Sequence, residues 1–212
     1  MSSIWYGVDP LAENFPNYSA LIYCFDNPIN LIDPEGLAPK GKPTIRQTLE
    51  FGMKYSKTFR KLMSLAGITL GNYSKHISFG KFTETDPVTG EITLTEGGDK
   101  KFQVIKLTHE LSNRINRGVL RSYGKKVEQS KISLQKYAHL SAQTEVDGEI
   151  NQIKVAADIG FRYFGKNSKA INSVIDNYSK IKSFNLRKIV APSTEHILTY
   201  INQGKRLQQA YQ

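Results

Sequence analysis

"VIKLTHELSNRIN", residues 104–116, decides how the chain is read. Val104, Leu107, Leu111 and Ile115 recur at helical spacing. His109, Asn113 and Asn116 recur at i, i+4 and i+7 on nearly the opposite side. The stretch therefore predicts an amphipathic helix over 101–117, ending near Gly118. Its apolar stripe needs partners, and the surrounding sequence supplies them.

Upstream, "HISFGKFTET" (76–85) and "EITLTE" (91–96) flank "DPVTG" (86–90), whose Pro, Thr and Gly supply turn chemistry. This predicts a β-hairpin. Before it, residues 45–66 carry Leu49, Met53, Phe59 and Met63 at helical spacing. Downstream, helical patterns cover 139–164, 168–181 and 193–210. The last begins with Ser193-Thr194-Glu195 after Pro192, a helix-start signature. No internal repeat or low-complexity tract interrupts them. The expected class is α+β: a short irregular β/turn leader, then a mainly helical domain with a small hairpin or sheet.

Composition limits the classes. A 212-residue chain can bury a real core. Its 39% apolar and 23% charged content suits a globular protein rather than a disordered one. No apolar run approaches the roughly 18 to 20 residues that span a bilayer. The N-terminus lacks the basic start and apolar middle of a secretory signal, so export would use another route. The single cysteine, Cys24 in "LIYCFD", excludes an internal disulfide framework and reads as a small buried hydrophobe. No glycine-rich phosphate loop and no zinc deaminase signature is present.

Charge is divided sharply. Residues 1–37 hold Asp9, Glu13, Asp26, Asp33 and Glu35 with no Lys or Arg, a charge of −5. All 29 cationic residues therefore face the remaining 14 acidic ones in 38–212, which carries +15. Such a domain suits nucleic acid, another polyanion or an acidic protein partner. "APKGKPTIR", 38–46, has the Pro, Gly and Lys of a linker. The boundaries expected are a leader at 1–37, a linker at 38–46 and a domain at 47–212.

The leader, "YGVDPLAENFPNYSALIYCFDNPINLIDPEGL", closely resembles the end of the core domain of RHS (YD-repeat) proteins. The resemblance rests on Asp9-Pro10-Leu11-Ala12-Glu13, Tyr23, Asn27-Pro28 and Asp33-Pro34-x-Gly36-Leu37, and covers about the first 37 residues. It implies a β-cage as carrier and a processing motif at Asp33, Pro34, Gly36 and Leu37, with the cut after Leu37. Asp33 would belong to the cleaving site, where paired carboxylates share a proton and activate water. Residues from Ala38 onward would then be a C-terminal toxin, secreted or delivered into a target bacterial cell, with an acidic cognate immunity protein as partner. Taken alone, Asp33-Pro34-Glu35-Gly36 is a simple turn.

The His109-Glu110 pair resembles the zincin metallopeptidases. There, His-Glu-x-x-His sets two imidazoles one turn apart on zinc, with the Glu as general base. The resemblance implies His109 as metal ligand, Glu110 as catalytic base, a Zn cofactor, and Glu145 or Glu149 from "TEVDGEINQIKVA" as third ligand. Asn113 stands where the second His belongs, and a neutral amide is a weak zinc ligand.

Two other readings of the same residues stay open. His109, Asn113 and Asn116 match the spacing of Glu145, Glu149 and Gln152, so two polar stripes could face each other across a cleft. Asn113, Asn116 and Gln152 would then bind a polar substrate, with Glu110, Glu145 or Glu149 as acid or base and no metal. Alternatively, the stripe is the solvated side of an amphipathic helix. His76, His139 and His196 have no ligand-like spacing and read as structural or exposed. The functions expected are a metallopeptidase-like hydrolase, a nucleic-acid-targeting toxin, or a non-catalytic binding module.

Overall fold

The computed structural model describes residues 31–32, 40–164, 168–180, 186, 189–192 and 194–211. Cys24, Asp33, Pro34, Gly36 and Leu37 lie outside the described residues. Within the leader, strand β1 (Leu31–Ile32) pairs antiparallel with β2 (Lys40–Gly41). The expected linker at 38–46 thus contains a strand and the start of a helix. Thr44 caps α1 (Ile45–Tyr55) in a reciprocal box with Gln47.

The apolar period over 45–66 becomes two helices, because Ser56 interrupts it. The Ser56 amide closes α1 on the Gly52 carbonyl, and its hydroxyl accepts from the Phe59 amide to cap α2 (Lys57–Leu65). The same hydroxyl donates to Asp158 at 2.6 Å, fastening the break to the far helix layer.

The sheet differs from a plain hairpin. Strand β5 (Ile92–Thr95) is central, with β3 (Ile77–Gly80) parallel on one edge and β4 (Glu84–Thr85) antiparallel on the other. Only the last two residues of the expected first arm form the hairpin. Asp86 organises the turn by accepting from the amides of Val88 and Thr89. The segment between β3 and β4 crosses the end of β5. There the Thr83 hydroxyl takes the Thr95 amide hydrogen at 2.9 Å and ends the ladder.

Asp99 caps α3 (Lys100–Glu128), which runs straight through Gly118 and Gly124 instead of ending near Gly118. Interior glycine costs only about 1 kcal/mol, and packing against the other helices offsets it. A short turn at 129–133 reverses the chain into α4 (Leu134–Ile159), capped by Ser133 and stopped at Gly160 in the left-handed conformation. Two more helices follow, α5 (Ser168–Lys180) and α6 (Thr194–Tyr211). The α3–α4 hairpin is the axis of the molecule: α1, α2, the sheet and α6 all touch α3. Leu49, Phe59, Met63, Leu94, Leu107 and Leu111 form the centre of the core. The class is α+β, mainly helical with one three-stranded sheet. Among the described residues, no helix is long and apolar enough to cross a membrane.

Candidate functional site

The apolar stripe of α3 turns towards the core, and this sends His109 into the seam with α4. The seam is narrow at Gly148, where a Cβ would lie 2.9 Å from His109 Nδ1. A residue without a side chain there lets the imidazole approach α4 closely. One turn earlier on α4, Glu145 Oε2 stands 3.3 Å from His109 Nε2. From α6, the Tyr200 hydroxyl donates to Glu145 Oε1 at 2.7 Å. Three helices are thus joined through one carboxylate.

This arrangement sets the ionisation. The hydrogen bond from His109, aided by the Tyr200 hydroxyl, holds the Glu145 carboxyl below the usual carboxylate range against the opposing effect of burial. The hydrogen bond to Glu145 raises the His109 imidazole, again against burial, with further help from the charges of Glu110 and Glu149. Tyr200 is pushed up by burial beside that carboxylate and stays a phenol. His196, one turn before Tyr200 on α6, is near enough for its charge to lower both Glu145 and Glu149.

Glu110 occupies the neighbouring side of α3. It is 5% exposed. Its Oε2 accepts from the Thr85 hydroxyl at 2.6 Å and from the Asn113 amide at 3.4 Å. The expected base therefore sits behind two polar residues and meets a ligand only through them.

Thr85, Asn113, Glu145 and Tyr200 line one cleft of about 760 Å³. The turn at Asp86–Val88 forms one rim, α6 forms the other, and Arg117 and Arg121 of α3 run along it. Glu145 backed by His109 and Thr85 backed by Glu110 converge on this space. Ligand clefts are of this size and carry a few fixed polar groups.

The rest of the expected stripes is distributed elsewhere. Glu149 lines a separate groove beside Tyr163 and Phe164, where burial pushes its carboxyl up. Gln152 shares that groove, and its amide donates to the Ile105 carbonyl at 3.1 Å. Asn116 opens on a third groove, with Asn151 and Lys57. The two stripes therefore do not face each other as matched rows; His109 and Glu145 alone meet directly. Nor is the polar side of α3 a solvated face, since His109, Asn113 and Asn116 are all partly buried.

The zincin pattern fits these side chains poorly. His109 and Glu145 spend their facing atoms on each other, Asn113 turns its amide to Glu110, and Glu110 is held by the sheet. Among the described residues, no group of three or more His, Cys, Asp or Glu side chains is arranged to hold a metal ion.

Sequence reasoning missed Thr85, Gly148 and Tyr200 and read His196 as structural or exposed. The first lies at the end of a two-residue strand, and the last two sit on a helix far along the chain. His196 and Tyr200 are one turn apart, which was the only local signal. No family model, curated protein or solved structure matches the chain.

Proposed function

We propose that residues 38–212 are the C-terminal effector domain of an RHS-type toxin, and that it is a hydrolase working by acid–base catalysis in the cleft floored by Glu145. The delivery half of this reading rests on the leader cassette ending in Asp33-Pro34-Glu35-Gly36-Leu37. The chemical half rests on one observation: two carboxylate systems, His109–Glu145 and Glu110–Thr85, converge on one cleft.

Glu145 is ionised at neutral pH and can accept a proton from an attacking water. The hydroxide fragment joins the electrophilic centre, the bond to the leaving group breaks, and Glu145 returns the proton to that group. His109 keeps the carboxylate charged and aimed. The Thr85 hydroxyl and the Asn113 amide are positioned to hold the substrate, with Glu110 fixing both. An acidic immunity protein would complement the +15 domain by charge and associate rapidly.

Inducible expression in a bacterial cytoplasm tests this. Growth arrest by the parent chain, lost in a folded Glu145→Gln variant, is expected. A folded Glu145→Gln chain that still arrests growth removes Glu145 from the chemistry. Stoichiometric zinc in the purified protein would restore the metallopeptidase alternative.

A further inference from the structure

Arg117, Arg121 and Lys125 recur every fourth residue along α3, one helical turn or about 6 Å apart. All three line the cleft that holds Glu145 and Tyr200. Among the described residues none of them forms an ion pair. Two are held in place: Arg121 Nε donates to the Pro87 carbonyl at 3.1 Å, and Arg117 donates to the Val88 carbonyl at 3.3 Å. Neutral carbonyls hold these guanidinium groups, and the Asp86 carboxylate feels the charge of Arg117 without forming an ion pair with it.

The acidic groups of the cleft are otherwise engaged or lie at its end. Asp86 accepts from two amides of its own turn, which hold its carboxyl down more than the charge of Arg117 does. Glu145 is bonded to His109 and Tyr200. Glu128 lies three residues beyond Lys125, where the row stops. The opposite wall is α6, with the Tyr200 ring and the Gln203 amide. A row of cations across from a tyrosine ring is an arrangement that takes an extended polyanion with exposed bases.

Taking the cleft as the hydrolytic site argued above, we propose that its substrate is single-stranded nucleic acid. Its phosphates would run along Arg117, Arg121 and Lys125, which carries the strand past Glu145. Regular spacing favours a phosphate backbone over an acidic polypeptide, whose charges are irregular.

The test uses the full chain carrying Glu145→Gln, so that binding is read without cleavage. A short labelled single-stranded RNA is titrated by fluorescence anisotropy at low and at physiological salt. Lys125→Glu is compared with Lys126→Glu. Lys126 is exposed, neighbours Lys125 in the same last turn of α3, and is outside the cleft, so the two changes alter net charge and helix-end electrostatics alike. Lys125→Glu is expected to weaken binding about tenfold and to lower the salt slope by about one, with Lys126→Glu within about twofold of the parent. Equal losses in the two variants, or no binding, overturn the proposal. So does displacement of the RNA by polyglutamate at the same charge concentration, which would mark a surface for acidic protein. Failure of the hydrolase reading looks different: RNA binds through Lys125, yet the unsubstituted chain neither cuts it nor arrests growth.

Discussion

The Tyr200 hydroxyl donates to Glu145 at 2.7 Å, and this bond joins α6 to α4 at the floor of the cleft. Tyr200→Phe keeps the ring and removes the donor. The Glu145 carboxyl should then titrate at higher pH, because one of the hydrogen bonds that favour its charged form is gone. The stability cost should be about 1–2 kcal/mol. Carboxyl NMR titration of Glu145 in both chains checks this; an unmoved Glu145 would show that Tyr200 only packs.

The His109–Glu145 pair makes stability depend on pH in a defined window. Glu145 is depressed on folding, so its contribution is present above its unfolded pKa and is lost as pH falls through the folded value. His109 is raised, so its contribution is complete below its unfolded pKa and is lost as pH rises through the folded value. Both are in force between about pH 4.3 and 6.5. The difference in thermal stability between the parent and His109→Gln should be widest there and shrink on both sides. A pH-independent difference would mean that the imidazole serves only as packing.

Gly148 is the position at which α4 admits the imidazole. Gly148→Ala puts a methyl group 2.9 Å from Nδ1 and should cost about 1–3 kcal/mol. Combining it with His109→Ala removes the obstacle, so the double variant should lose clearly less than the sum of the singles. Additive losses in urea denaturation would place the strain elsewhere.

Thr85 is the link between the sheet and the buried Glu110. Thr85→Val leaves that carboxylate without its 2.6 Å donor and should cost about 1–3 kcal/mol, whereas Thr85→Ser should retain most of the stability. Denaturant midpoints at unchanged m-value check it. A Thr85→Val chain as stable as the parent would show that Asn113 suffices to satisfy Glu110.

Much of the fold is legible because it follows period and caps. The start of α6 at Thr194, the stripe through Val104, Leu107 and Leu111, and the α+β class all follow from local pattern. Features set by tertiary contact do not. Gly118 looks like a helix end, yet α3 continues because the following turns pack on α4 and α6. "HISFGKFTET" looks like one hairpin arm, yet its first half crosses to the far edge of β5, and parallel pairing leaves no local mark. The site divides in the same way. His109 and Glu145 stand out by residue type and spacing, and they meet. Glu149 stands out equally, but one further turn along α4 carries it into another groove. Tyr200 reaches Glu145 across 55 residues of sequence and has no signature there.

The most direct test of the account compares Glu145→Gln with Glu149→Gln in the same growth-arrest assay, with folding of both verified by circular dichroism. Both changes remove one carboxylate from α4, one turn apart, and only Glu145 lines the cleft. Glu145→Gln should abolish arrest and Glu149→Gln should retain it. Arrest that survives Glu145→Gln and disappears in Glu149→Gln would contradict it.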